Sequence, residues 1–245
     1  MNPLEGKIAL VTGAGRGMGQ AIALRLARDG AALVVHYSGS EAGARETVDT
    51  IKRDGGEAYA VRADITKRAE VQTLFAEIDR LSGRIDIVVN SSGVSAGGSL
   101  AELDEEQFEW MLGVNLRGPF YVGSEAAKRL REGGRIINIS STIATFPVAG
   151  NGIYGATKSA LESFTESWAK ELGRKGITVN TVIPGATSPG MMDNSPEYRS
   201  FFENASPFAR IGRAEEIAAV IAFLASPEAS WVSGAKIMAN GAANT

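Results

Sequence analysis

The chain contains no cysteine and a single histidine, His36. That removes thiol nucleophiles, disulfides, thiolate metal sites, His-based triads and multi-histidine zinc sites. Acid–base work must therefore fall to Tyr, Lys, Asp or Glu, and no metal is expected. One pairing has suitable types and spacing. In Tyr154-Gly-Ala-Thr-Lys158, tyrosine and lysine open a helical pattern at i and i+4 and so share one helix face. A free phenol titrates near ~10, and lowering it by about 3 units takes ~4 kcal/mol. A lysine cation ~5 Å away at an effective dielectric constant of ~20 supplies roughly 3 kcal/mol of that. Tyrosine and lysine at this spacing also occur on ordinary exposed helices, so the pair gains meaning only from its surroundings. Upstream, Gly134-Arg-Ile-Ile-Asn-Ile-Ser140-Ser141 reads as a central strand ending in two hydroxyls. Ligands of parallel sheets collect at such carboxyl ends.

A second constellation lies near the N-terminus, where an apolar strand leads into Thr12-Gly13-Ala14-Gly15-Arg16-Gly17-Met18-Gly19 and then a helix. Glycines permit positive φ, close backbone approach to a pyrophosphate and tight strand–helix packing. The helix N-terminus adds amide donors and a positive dipole end. The spacing of Gly13, Gly17 and Gly19 is G-x-x-x-G-x-G. Which nucleotide binds is decided after the second strand, where NAD sites carry an acidic residue for the ribose 2′-hydroxyl. Here the segment reads His36-Tyr37-Ser38-Gly39-Ser40, with no carboxylate before Glu41. A carboxylate beside a 2′-phosphate would cost roughly 3 kcal/mol per charge pair at ~5 Å. Ser38 and Ser40 offer hydroxyls instead, and Arg16 a guanidinium suited to phosphate. NADP(H) is the expected cofactor.

The elements that must position these groups alternate along the chain. Strands are expected over 8–11, 32–36, 58–62, 85–89, 135–139, 177–183 and 235–239. Helical apolar periodicity occupies 17–29, 41–54, 67–81, 104–130, 154–173 and 214–224. Several strands are apolar on both faces, so the reading is one α/β domain spanning 1–245, a Rossmann-type doubly wound parallel sheet of about seven strands with helices on both sides. The exception is 186–211, where no strand is expected and Met191, Met192, Tyr198, Phe201, Phe202 and Phe208 are scattered among Pro and Gly; a connection of this kind suggests a substrate lid. With 44% apolar residues, 22% charged and a formal charge of -3, the composition gives no footprint for nucleic acid or an anionic membrane. No apolar run reaches the ~18 residues of a spanning helix. Met1 runs directly into the first strand, which leaves no room for a signal peptide, so a cytoplasmic location is the expectation.

Taken together, the glycine turn, Ser141, Tyr154 and Lys158 resemble the short-chain dehydrogenase/reductase family, in particular its NADP-dependent members similar to 3-oxoacyl-acyl-carrier-protein reductases. The likeness runs through the whole chain. Ala63-Asp64-Ile65 looks like the family's adenine contact, Val114-Asn115-Leu116 like its helix asparagine, and Pro184-Gly185 like the turn before the nicotinamide. Segments 207–217 and 223–226 resemble the approach to the last helix. The resemblance implies that Tyr154 donates a proton to a substrate oxygen while hydride arrives from the nicotinamide. It implies further that Lys158 lowers the tyrosine pKa and holds the ribose, that Ser141 orients the carbonyl, and that Asn115 holds a water. Three departures stand out. The family's Asn-Asn-Ala-Gly is Asn90-Ser91-Ser92-Gly93, of which Asn90, Ser91 and Gly93 are the candidate cofactor contacts. The threonine after the proline–glycine turn is represented by Thr187 beside Ser188-Pro189, and the C-terminal Val-Asp-Gly-Gly becomes Ala239-Asn240-Gly241-Ala242.

The expected activity is NADPH-dependent reduction of a ketone or 3-oxoacyl compound to a secondary alcohol. An alcohol or sugar dehydrogenase working oxidatively would use identical residues. A non-catalytic NADP-binding regulator would not need an intact Asn–Ser–Tyr–Lys set. Arg129, Arg131, Arg174 and Lys175 are candidates for meeting an acidic acyl carrier, or simply a solvated face. The resemblance also implies a homotetramer, with helices 104–130 and 154–173 at its interfaces and Phe164 and Trp168 facing outward.

Overall fold

The computed structural model describes residues 2–190 and 196–243, the side chains of 196–198 excepted. Met191, Met192 and the side chain of Tyr198 from the expected lid lie outside them. A single sheet forms from β1 (Ile8–Val11), β2 (Ala32–Tyr37), β3 (Ala58–Arg62), β4 (Ile85–Asn90), β5 (Leu130–Ile139), β6 (Thr178–Pro184) and β9 (Lys236–Ala239). Its order is β3-β2-β1-β4-β5-β6-β9, and all its pairings are parallel. Helices α1 (Gly17–Arg28), α2 (Glu41–Arg53) and α8 (Ala214–Ala225) cover one face, and α3 (Arg68–Ser82), α5 (Gly118–Arg129) and α6 (Gly152–Leu172) the other. Alternation along each strand feeds both layers: Ala9 and Val11 pack with Ile22, Leu26 and Ile221, whereas Leu10 and Val34 pack with Val71, Phe75 and Val122. This double burial is why the strands read as unbroken apolar runs.

Two segments differ from the sequence expectation. The helix anticipated over 104–130 is interrupted. It consists of α4 (Glu105–Leu112), capped by the Asp104 carboxylate on the Gln107 amide at 2.7 Å, one π-helical turn at Gly113–Arg117, and α5. Pro119 lacks the N–H that an α-helix would direct to the Asn115 carbonyl, and the Gly118 amide instead bonds the Gly113 carbonyl. β5 then starts directly at Leu130 rather than at Arg135. The second correction concerns 186–211, where a strand was not expected. β7 (Thr187–Ser188) pairs in parallel with β8 (Gly212–Arg213), and α7 (Pro196–Ala205) lies between them.

Candidate active site

Strand order reverses between β1 and β4, and the carboxyl ends of the strands surround that switch point, where ligands of such sheets bind. β1 delivers the glycine turn. Gly13 adopts φ +68° and Gly17 φ +54°, conformations that disfavour any side chain. The turn is also packed too closely for side chains, since a Cβ at Gly19 would fall 2.3 Å from the Gly13 carbonyl oxygen, and one at Gly15 2.8 Å from that of Ser40. Thr12 joins the turn to β4: its hydroxyl oxygen accepts the Ser91 and Ser92 amides, each at 3.0 Å. The two serines that replace the family's Asn-Ala are thus held by backbone donors that either sequence would supply. Arg16 is exposed at the start of α1, which has no side-chain cap bond and no acidic residue in its first turn. A helix start in this condition, beside a backbone stripped of side chains, fits a phosphate group.

The second corner lies across β2 and β3. Tyr37 is half-buried, Ser38 is exposed, and the Arg62 guanidinium donates to the Ser38 carbonyl at 3.2 Å. Arg62, which sequence reasoning did not single out, thereby brings a second cation to the place where a 2′-phosphate is expected. Gly43 was missed as well. A Cβ there would sit 1.9 Å from the Gly15 carbonyl oxygen, so α2 reaches the glycine turn only through this glycine. Following β3, the Asp64 carboxylate accepts from Thr66 and lies 3.4 Å from Lys67; its pKa is lowered, since these hydrogen bonds and the lysine outweigh the opposing and largest single effect, burial. Ala63 and Ile65 are buried, the latter packed where a Gly118 side chain would be.

The third group forms where β5 meets α6. Tyr154 and Lys158 are buried on one face of α6, and Ser141 follows the end of β5. Lys158 Nζ donates to the Ile139 carbonyl at 2.9 Å and lies 5.7 Å from the Tyr154 ring centroid. Burial lowers Lys158 to about 8. Burial also raises Tyr154 above the ordinary phenol value, opposed by its hydrogen bond with Ser141. In the protein alone desolvation outweighs that hydrogen bond, because the phenol is withdrawn from water. Ser140 faces away, its hydroxyl donating to the buried Glu162 carboxylate at 2.6 Å.

Asn115 sits in the π-helical turn, with Oδ1 accepting the Val94 amide at 2.9 Å and Nδ2 donating to the Val94 carbonyl at 2.8 Å and the Thr157 hydroxyl at 3.4 Å. The Thr157 hydroxyl donates in turn to the Tyr154 carbonyl at 2.7 Å. Asn115 therefore ties the segment after Gly93 to the start of α6. Asn90 points into the sheet and donates to Asn138 at 2.8 Å, with Asn138 donating onward to Thr165. On β6, the Gly185 amide bonds the Ala239 carbonyl, and the Thr187 hydroxyl donates to the Gly185 carbonyl at 2.9 Å. Pro184 is buried and Gly185 packs against Asn240. The altered C-terminal turn is accommodated: Asn240 accepts the Ala242 amide at 3.1 Å while Ala242 takes φ +56°. Arg16, Gly13, Ser91, Ser141, Tyr154, Lys158 and Pro184 thus border one end of the sheet. Among the described residues no cluster of His, Cys, Asp or Glu could hold a metal ion, and no helix is long and apolar enough to cross a membrane.

Comparison with known proteins agrees with this architecture. A family described as enoyl-(acyl carrier protein) reductase, of the short-chain alcohol dehydrogenase type, matches residues 13–244. A short-chain dehydrogenase/reductase of Pestalotiopsis microspora is 41% identical, with 97% of this chain and 95% of that protein covered. A hydroxynaphthalene reductase-like protein of Metarhizium brunneum is 39% identical over 99% of this chain and 96% of its own. The crystal structure of the angucycline C-6 ketoreductase LanV, with NADP bound, superposes with a TM-score of 0.94 at 38% identity, covering 98% of this chain and 96% of that one. The chain belongs to the short-chain dehydrogenase/reductase family. It is an oxidoreductase.

Proposed function

We propose that this protein uses NADPH to reduce a ketone on a hydrophobic, cyclic or polycyclic substrate to a secondary alcohol. The observation that carries the reading is half-buried Ser141 with buried Tyr154 and Lys158 at the same end of the sheet as a glycine turn with an uncapped helix start and arginines at its outer corner. NADPH supplies the hydride to the carbonyl carbon. Ser141 and Tyr154 hold the substrate oxygen between two hydroxyls, and Tyr154 releases its proton to that oxygen as negative charge develops there. Lys158, fixed by the Ile139 carbonyl, offers a cation to the phenolate left behind and to the ribose hydroxyls. Asn115, through Val94 and Thr157, sets the position of α6 relative to the nicotinamide side of the site.

The substrate class rests on the relatives: the named ketoreductase acts at C-6 of an angucycline, and another relative is described as hydroxynaphthalene reductase-like. Segment 186–211 acts as the lid, with exposed Phe201 and Phe208 as its apolar surface. A screen following NADPH oxidation over polycyclic ketones, quinones, 3-oxoacyl thioesters and sugars tests the reading, with the alcohol product identified. Turnover confined to sugars or thioesters would overturn the substrate class, and oxidation of NADPH by none of them would overturn the activity.

The assembly is a homotetramer in this reading. Two separate apolar areas support it. Phe120, half-buried Phe164 and Trp168 form a tilted-and-stacked row across α5 and α6, while Phe223, Trp231 and Met238 are exposed around α8 and β9. Two patches on one chain, each pairing with its own copy, would give a closed four-chain assembly. A sedimentation mass of one chain at micromolar concentration would refute it.

A further inference from the structure

His36 stands outside the reacting groups, yet it touches both arms of the nucleotide cradle. From the carboxyl end of β2, its Nδ1 accepts the Gly13 amide at 3.2 Å, and its Nε2 lies 3.0 Å from the Ala63 carbonyl oxygen. A carbonyl can only accept, so Nε2 carries the proton; a backbone amide can only donate, so Nδ1 carries none. The two contacts together select one species, the neutral Nε2–H imidazole. Gly13 and Ala63 follow strands on opposite sides of β2. The ring is 1% exposed. Burial lowers its pKa to about 4, opposed by the Ala63 carbonyl and the Asp64 charge. Asp64 is itself engaged by Thr66 and Lys67, while Arg62 at the end of β3 is directed to the Ser38 carbonyl.

We propose that His36 is a positioning residue for the cofactor: as the neutral Nε2–H imidazole it ties the Gly13 amide of the phosphate-binding turn to the Ala63 carbonyl beside Asp64, fixing the spacing between the pyrophosphate and adenine sides of the NADP(H) site. The inference rests on the NADP(H) reading above. A proton added at Nδ1 would face the Gly13 N–H donor to donor and open the bridge.

Because His36 is the sole histidine, a long-range proton–nitrogen spectrum of the untagged, nitrogen-15-labelled apoprotein contains one imidazole and needs no assignment. The expected result is the neutral Nε2–H pattern persisting as pH falls below the ordinary histidine value of ~6.5. In parallel, calorimetry measures NADP⁺ and adenosine 2′,5′-bisphosphate binding to the parent, His36→Asn and His36→Leu. Asparagine retains an acceptor for Gly13 and loses the Ala63 arm, whereas leucine loses both. Removing a bond of ordinary strength corresponds to about a tenfold change. His36→Asn, which loses one bond, should therefore raise both dissociation constants about tenfold, and His36→Leu, which loses both, by more, while kcat at saturating NADPH stays within about twofold. An imidazole that titrates near ~6.5, a proton found on Nδ1, or unchanged binding in a folded His36→Leu variant overturns the proposal. Where His36→Leu does not fold, the spectrum and the binding of His36→Asn carry the test. It needs neither substrate nor turnover, so failure of the ketoreductase reading is distinguishable from failure of this one.

Discussion

Replacing Tyr154 with phenylalanine removes one hydroxyl from a ring that is already buried against α6 and the end of β5. The ring keeps its packing, and the structural loss is the hydrogen bond with Ser141. Such a bond contributes about 1 kcal/mol net, and the variant no longer buries a polar oxygen, so the two effects partly cancel. In a chain of this size 1 kcal/mol moves Tm by ~2–4 °C, which sets the upper limit for the expected drop. The hydroxyl is engaged by Ser141, and among the described residues no hydrogen bond joins it to the glycine turn or to Arg16 and Arg62, so NADP⁺ affinity should hold within about twofold. The chemical step should not. A positioned general acid contributes ~10²–10⁴-fold, equivalent to about 3–5 kcal/mol of barrier. The assay is single-turnover NADPH oxidation with a confirmed ketone, alongside NADP⁺ titration and thermal unfolding of parent and variant. A Tyr154→Phe protein that binds cofactor normally and reduces the ketone within a few-fold of the parent rate would refute the assignment of Tyr154 as proton donor. Ser141→Ala, which removes the partner hydroxyl, should also slow the step while leaving cofactor affinity intact.

Burial lowers Lys158 to about 8, so the cation is present below that pH and disappears as pH rises through it; kcat/KM for reduction should fall across the same range, and Lys158→Ala should be slow and lack this alkaline limb. Arg16→Ala should raise KM for NADPH by tenfold or more while changing that for NADH little, as steady-state kinetics with both cofactors will show; equal efficiency of the unmodified protein with NADPH and NADH would contradict the 2′-phosphate assignment. Gly43→Ala places a Cβ 1.9 Å from the Gly15 carbonyl and must push α2 off the glycine turn. The expected cost is ~1–3 kcal/mol of stability in denaturant unfolding, together with weaker NADP⁺ binding.

Much of the fold was legible because burial on both faces leaves a plain record. Apolar runs such as Ala32–Tyr37 and Ile85–Asn90, separated by amphipathic helices, admit few arrangements other than a parallel sheet with two helical layers. Local backbone demands were legible for the same reason: the positive φ of Gly13 and Gly17 and the i, i+4 spacing of Tyr154 and Lys158 depend on neighbours in sequence. The interruption around Asn115 was signalled by Gly118-Pro119, but apolar periodicity continues through a single π turn and conceals it. The two-residue strand Thr187–Ser188 left no periodic trace at all, since it exists only through its pairing with Gly212–Arg213.

Residue types and spacing alone determined the absence of thiol and His-triad chemistry, the glycine turn, the lack of a carboxylate after β2, and the tyrosine–lysine pair. The tertiary structure decided everything that depends on distance through space. It brought Arg62 to Ser38, made Gly43 indispensable to the approach of α2, and turned Ser140 toward Glu162 and away from the site. It also set the burial that raises the Tyr154 phenol, because desolvation is set by the surrounding fold rather than by the helix carrying the residue. His36 shows the same division: its sequence position marks only the end of a strand, whereas its tautomer is fixed by an amide and a carbonyl that the strand order brings to opposite sides of the ring.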